Sequence, residues 1–149
     1  MDQYGVQMIA FVGGCIGHMI LHDNKDEKYA NYAVAVVSQL AIIGVGIWSI
    51  AHGLSCKTMF DLVAGYFYYD ILNSLYDFSY TKDYTNFVFI VHHLAGIQSM
   101  HIVATYIPQI DADMSTFIVG IEIANMLRNA AFALRSEVPL SLMYAFYVP

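Results

Sequence analysis

Two adjacent histidines, His92 and His93, lie inside the apolar run FIVHHLAG at residues 89–96. An imidazole that is held away from water can act as a general base or as a nucleophile. A nearby carboxylate can orient such an imidazole and stabilise its charged form. Asp70 lies in the preceding apolar segment. The sequence therefore predicts His92, His93 and Asp70 as candidate catalytic residues.

Further polar side chains lie within the same apolar segments. One set has the spacing i, i+4, i+7 and i+11, which is typical of a single helical face, and comprises Tyr66, Asp70, Asn73 and Asp77. Polar groups in apolar segments usually face a bundle interior or a cavity, because exposing them to hydrocarbon is costly. The residues predicted to line such a cavity are Tyr66, Asn73, Gln98, Glu122, Asn125 and Arg128.

The spacing of the two histidines does not favour a metal site. Adjacent residues of a helix point about 100° apart, so His92 and His93 do not readily chelate one ion. The segment around them has neither the HxxxH nor the HExxH spacing. Cys15 and Cys56 have neither metal-ligand spacing nor the pattern of a disulfide framework. We therefore expect no bound metal and no resident cofactor.

The composition predicts the kind of helices that position these residues. The 149-residue chain is 58% hydrophobic and 12% charged, with a mean hydropathy of +0.54, whereas soluble domains carry about 25% charged residues. A helix needs about 17–25 mostly apolar residues to cross a bilayer. Candidate segments are Tyr4–Leu21, Ala33–Leu54, Thr58–Leu75, Thr85–Ile107, Met114–Leu134 and a shorter sixth, Val138–Pro149. The predicted fold is all-α, a polytopic membrane bundle of five to six transmembrane helices.

Lysine and arginine residues predict the orientation of this bundle. The loops after the first, third and fifth segments contain Lys25, Lys28, Lys82 and Arg135, whereas the opposite side has Lys57. Because positive residues are enriched on the cytoplasmic side, the N-terminus is predicted on the other side. The chain has no basic stripe, so nucleic acid is not expected as a partner.

The depths of the charged residues predict which of them meet. At about 1.5 Å per residue, Asp70 lies roughly 8 Å and Arg128 roughly 9 Å from the cytoplasmic ends of their helices. An unpaired charge at that depth is costly, so we predict that Asp70 and Arg128 form an ion pair. Glu122 lies about 18 Å and Gln98 about 20 Å from the same ends. These depths predict a second polar layer near the membrane centre.

These motifs together resemble a known family. The run GYFYYD at residues 65–70, His92 with His93, and then Glu122, Asn125 and Arg128 are similar to a TLC (TRAM/LAG1/CLN8) domain. The resemblance extends from Asp26 to the end of the chain. It implies an N-terminal transmembrane helix and loop at residues 1–25, followed by a TLC-like membrane domain at residues 26–149.

The resemblance also implies a function. TLC domains form helical bundles around a lipid-accessible, polar-lined cavity, usually in the endoplasmic reticulum. On this basis the chain would bind or modify acyl lipids, its partners would be membrane lipids, and the cavity residues predicted above would bind lipid. One histidine would serve as the base or the nucleophile for acyl transfer, with Asp70 orienting it and acyl-CoA as a possible co-substrate.

Two departures from the family pattern leave an alternative open. Ceramide synthases follow the histidine pair with an acidic HD..D element, and this chain instead has LAGIQSMHIVATYIPQ and GIEIANMLRN. We therefore expect a branch of the family other than the ceramide synthases. The chain also ends before the further helices that the family usually has, which predicts an incomplete domain. The alternative function is that of a non-enzymatic membrane chaperone, or of a structural subunit that works with other membrane proteins.

Overall fold

The computed structural model describes residues 3–22 and 27–133 of the chain. These residues form five α-helices and one short 3-10 turn at Pro108–Ile110: α1 Gln3–His22, α2 Glu27–Ala51, α3 Lys57–Thr81, α4 Tyr84–Tyr106 and α5 Asp111–Ala133. The described ranges contain no strand, which confirms the predicted all-α fold. The predicted sixth segment, Val138–Pro149, and the predicted domain boundary after residue 25 lie outside the described residues.

Short turns reverse the chain between successive helices. Gly53 follows α2 with a φ of 60°, a conformation that glycine adopts without steric cost. At the end of α3, Lys82 has a left-handed backbone and its N–H donates to the carbonyl of Phe78. Asp83 is the N-cap of α4, and its side chain accepts a hydrogen bond of 2.9 Å from the backbone N–H of Thr85. Helices α3 and α4 are therefore antiparallel neighbours.

A carboxylate from α5 joins two distant parts of the chain. Asp111 accepts a hydrogen bond of 3.1 Å from the backbone N–H of Cys56, directly before α3. The hydroxyl of Ser115, one turn further along α5, donates to the backbone carbonyl of Asp111 at 2.6 Å. These bonds place the first turn of α5 beside the start of α3.

The helices pack as two connected layers. Helix α3 packs on α1 and α4, and α2 packs on α5 while also contacting α1 and α3. The buried core between them includes Ile42, Met59, Val63, Val103 and Val119. Helices α4 and α5 make little contact with each other. The space between these two helices contains the candidate site.

Two of the described helices are long and apolar enough to cross a membrane. They are Ala30–Ala51 within α2 and Tyr84–Tyr106, the whole of α4. Helix α1 has a shorter apolar stretch, Gly5–Leu21. In α3 and α5 the polar and charged residues lower the apolar content. The prediction of five to six membrane spans is therefore not confirmed by length and composition, and it stays a prediction.

Candidate functional site

A cavity of about 340 Å³ lies between α3, α4 and α5, and Gln39 of α2 also lines it. Most of the predicted site residues line this cavity: Tyr66, Asp70, His92, His93, Glu122, Asn125 and Arg128. Apolar side chains such as Phe67, Phe117 and Ile121 form much of the remaining wall. Three separate polar stripes in the sequence therefore converge on one space, as predicted from their spacing.

Asp70 lies beside the imidazole of His93 at the wall of the cavity. The imidazole Nδ1 of His93 lies 3.3 Å from a carboxylate oxygen of Asp70, in a geometry that is not aligned as a hydrogen bond. His93 is buried and Asp70 is half-buried. The imidazole is stacked on the ring of Phe67 at a centroid distance of 4.4 Å. A carboxylate beside a packed imidazole is the arrangement that a general base requires.

His92 has a different environment from its neighbour. Its side chain also borders the cavity but is exposed at the protein surface. The two imidazole rings are 5.5 Å apart and tilted by 51°, as expected for adjacent positions on a helix. Of the two histidines, His93 is therefore the one that packs inside the bundle.

A second polar layer lies deeper in the bundle and involves α2. Glu122 is buried, and its carboxylate lies beside the side chains of Gln39 and Asn125. The amide of Asn129 donates a buried hydrogen bond of 3.2 Å to the side-chain oxygen of Gln39. The sequence predicted Glu122 in such a layer. Gln39 and Asn129 were not among the predicted site residues.

A signal for Gln39 was present in the sequence. It lies in the middle of a strongly apolar helix, whose other amide, Asn31, is near the helix start, and such a residue usually faces a polar partner. Because α5 packs on α2, the stripe of Glu122, Asn125 and Asn129 meets this amide. The pairing of α2 with α5 could not be derived from the pattern of either helix alone.

Arg128 does not form the predicted direct ion pair with Asp70. Asp70 instead has the imidazole of His93 as its neighbour, and that imidazole is charged only if it is protonated. Arg128 lies within electrostatic range of both Asp70 and Glu122. Equal depth was not enough to bring Arg128 of α5 into contact with Asp70 of α3, because α5 packs on α2 and the cavity lies between α5 and α3.

Two of the predicted binding residues do not line the cavity. Gln98 lies on another side of α4, five residues after His93, and borders a second cavity between α1, α3 and α4. Asn73 follows Asp70 on α3 by three residues and is half-buried outside the cavity wall. The helical face predicted from Tyr66 to Asp77 is therefore wider than the cavity. Among the described residues, no group of three His, Cys, Asp or Glu side chains could hold a metal ion.

Three residues that line this cavity each have a buried polar atom without a hydrogen-bond partner in the described structure. These atoms are Nδ1 of His93, Oε2 of Glu122 and Nε of Arg128. A buried polar atom without a partner costs about 1–3 kcal/mol, so such groups are rarely left unpaired without a reason. One is a donor, one an acceptor, and the imidazole nitrogen can be either. The cavity can therefore receive a polar group that both accepts and donates hydrogen bonds.

Comparison with known proteins identifies no relative, since no family model, no curated protein and no solved structure matches this chain. The resemblance to a TLC domain therefore depends on the sequence motifs alone and stays a prediction.

Proposed function

We propose that this protein is a polytopic membrane protein that holds one acyl lipid in the cavity between α3, α4 and α5. The observation that carries the proposal is that three residues with unpartnered buried polar atoms line one cavity whose other walls are largely apolar. Binding sites for amphiphilic small molecules combine an apolar wall with a few polar groups in this way. The lipid's head group would contact Arg128, Glu122 and His93, and its chain would contact the apolar wall.

The outer surface of the bundle supports a membrane environment. Large apolar side chains are exposed on every helix, for example Ile9 on α1, Leu40 on α2, Leu72 on α3, Val88 on α4 and Phe117 on α5. Soluble monomers rarely expose such extended apolar surface. In a bilayer the same surface contacts lipid chains. The polar residues of α3 and α5 that lower their apolar content include those lining the cavity, and these face the interior.

The small contact between α4 and α5 supports entry of the lipid from the side. A lipid that diffuses in the membrane plane would pass between these helices with its chain still in hydrocarbon. Its head group would then reach His93 on one side and Arg128 on the other. On the resemblance to TLC domains, we propose the endoplasmic reticulum as the membrane.

The pair of His93 and Asp70 supports acyl transfer as the chemistry of this site. His93 would remove the proton from a hydroxyl or amine of the bound lipid while that group attacks the thioester carbonyl of acyl-CoA. The new ester or amide bond forms, the carbon–sulfur bond breaks, and the departing thiolate takes the proton from His93. Asp70, 3.3 Å away, would stabilise the imidazolium that forms in between.

Lipid retention tests the binding proposal. We expect the purified protein to carry an acyl lipid that mass spectrometry detects. Glu122→Gln and Arg128→Gln should each reduce the amount of bound lipid about tenfold, because each removes a charged hydrogen-bonding group from the head-group site. Asp113→Asn makes the same acid-to-amide change at an exposed position of α5 and should leave lipid unchanged. Equal lipid in all four proteins would refute the proposal.

Acyl transfer is tested separately from lipid retention. Wild-type protein incubated with labelled acyl-CoA and a membrane lipid extract should form a labelled lipid product, and His93→Gln should not. Retention of lipid without any labelled product would exclude acyl transfer. It would favour the alternative, a non-enzymatic membrane chaperone or subunit that uses the same cavity.

A further inference from the structure

A second cavity lies on the other side of the α3–α4 pair. It has a volume of about 280 Å³ and is bounded by α1, the first turns of α3 and the last turns of α4. Met100 borders both cavities and is buried between them. Gln98, which the sequence predicted as a lipid contact, lies here and not in the first cavity.

Opposite charges lie at different depths in this second cavity. Lys57, the first residue of α3, is half exposed, and its Nζ lies 3.6 Å from a carboxylate oxygen of Asp61. Asp61 is buried one helical turn further in, about 6 Å along the axis, and its other oxygen accepts a hydrogen bond of 2.9 Å from Gln7. The cavity therefore has a positive group at its mouth and a negative group inside.

Helix α4 contributes a polar stripe to the same cavity. Gln98, His101 and Thr105 are spaced at i, i+3 and i+7, border the cavity and are exposed. Because α4 is apolar and long enough to span a membrane, a polar stripe on it needs a polar neighbour. Thr105 is one residue from the end of α4, and Gln98 is about 12 Å from that end. The cavity thus begins at the depth of lipid head groups.

We propose that this second cavity binds the phosphoethanolamine head group of a membrane phospholipid. The phosphate contacts Lys57 and the hydroxyl of Thr105 near the mouth, and the primary ammonium donates further in to Asp61, to a ring nitrogen of His101 and to the side-chain oxygen of Gln98. The charges of the head group match those of the cavity, and an N–H donor suits its acceptors. The proposal rests on the membrane location proposed above, but not on the ligand of the first cavity.

The test uses delipidated full-length protein in mild detergent and three short-chain probes. These are dihexanoyl phosphatidylethanolamine, phosphatidylcholine and phosphatidylglycerol, with unfolding followed by circular dichroism. We expect the phosphatidylethanolamine to raise the unfolding temperature at the lowest concentration. Phosphatidylcholine has the same phosphate but no N–H donor, so the same rise in unfolding temperature should need an at least about tenfold higher concentration of it. The same holds for phosphatidylglycerol.

Variants locate the effect. His101→Ala and Thr105→Val are exposed changes that should preserve folding and weaken the apparent affinity for phosphatidylethanolamine about tenfold. Matched changes outside both cavities, His52→Ala and Thr116→Val, should leave the affinity unchanged. Equal responses to the three lipids, or wild-type affinity in both cavity variants, would overturn the proposal. Soluble glycerophosphoethanolamine acting as well as the lipid would overturn the membrane source of the head group.

The two proposals fail separately. Loss of lipid in the Glu122→Gln protein reports on the first cavity, whereas phosphatidylethanolamine affinity in the His101→Ala protein reports on the second. If the first cavity holds no acyl lipid but His101→Ala still weakens phosphatidylethanolamine binding, the second site stands alone.

Discussion

His92 and His93 are neighbours in sequence but differ in what surrounds them. His93 is buried, stacked on Phe67 and 3.3 Å from Asp70, whereas His92 is exposed at the edge of the cavity. The helical rotation of about 100° between adjacent residues produces this difference. Their contributions to stability should therefore differ as well.

We predict that His93→Ala lowers the free energy of unfolding by about 2 kcal/mol, because it removes a buried, stacked ring. His92→Ala removes an exposed ring and should change it by less than about 0.5 kcal/mol. Chemical denaturation of both variants in the same detergent measures the difference. An equal loss of unfolding free energy in both variants would contradict this difference. It would show that both histidines contribute equally to joining the helices.

Gly96 supports the position of the His93 ring through Phe67. A Cβ atom on Gly96 would lie 2.7 Å from the ring of Phe67, which is stacked on His93. Overpacking of this kind costs about 1–3 kcal/mol, whereas alanine is better than glycine within a helix by about 1 kcal/mol. Gly96→Ala should therefore destabilise the protein by about 1 kcal/mol and reduce bound lipid.

A control and a rescue accompany this glycine prediction. Gly44→Ala is the matched change in α2, where a Cβ would meet no atom within 4 Å, and it should be neutral or stabilising. Phe67→Leu should recover part of the loss in the double variant with Gly96→Ala, because the smaller side chain vacates the space. Strict additivity of the two changes would contradict the contact.

Among the elements, the start of α4 depends on one exposed carboxylate. The backbone N–H of Thr85 donates to Asp83, and this bond lowers the pKa of the Asp83 carboxyl below its usual value. Because the pKa is lower in the folded state, the stabilisation is complete above the unfolded pKa. It is lost as the pH falls through the folded value. Helix α4 should therefore fray at its N-terminus in acid.

The substitution Asp83→Asn tests this pH dependence. Asparagine is an equally good N-cap but does not titrate. The variant should be as stable as the wild type at neutral pH. Protonation of Asp83 should no longer contribute to the loss of stability as the pH falls. Hydrogen exchange of the first amides of α4, measured between neutral pH and pH about 3, follows the change. If the exchange rates of these amides depend on pH in the variant as they do in the wild type, Asp83 does not cause the fraying of α4 in acid.

The sequence predicted the elements better than it predicted their pairing. Apolar length and the spacing of polar residues identified all five helices, and most of the predicted site residues on α3, α4 and α5 line one cavity. The direct ion pair predicted between Arg128 and Asp70 is not present, and Gln39 was not predicted, for a common reason. Depth along a helix can be counted from sequence, but whether α5 packs on α2 or on α3 depends on the fit of whole surfaces.

For the whole molecule, the number of membrane spans decides where the loops lie. If all five helices cross, α3 separates the loop at Ser55 from the loop at Lys82, so the two loops face opposite sides of the membrane. If α2 and α4 cross but α3 does not, both loops face the same side. We predict opposite sides, because the exposed apolar surface includes α3.

Cysteine labelling distinguishes these arrangements. Ser55→Cys and Lys82→Cys are introduced singly into protein whose own cysteines, Cys15 and Cys56, are replaced by alanine. In sealed vesicles, a membrane-impermeant maleimide should modify one variant before permeabilisation and the other only afterwards. Modification of both from the same side would exclude a membrane-spanning α3.

The cavity between α3, α4 and α5 is the feature on which the proposed function depends, and filling it tests that function most directly. Ser99 of α4 lines the cavity, whereas Thr116 of α5 is exposed outside it. We predict that native mass spectrometry of the wild-type protein finds one acyl lipid bound in this cavity, in addition to any phospholipid held in the second cavity. Ser99→Phe should remove that lipid because the added ring occupies its space, and Thr116→Phe should retain it. Retention of the lipid in Ser99→Phe, with wild-type stoichiometry, would contradict a lipid site in this cavity.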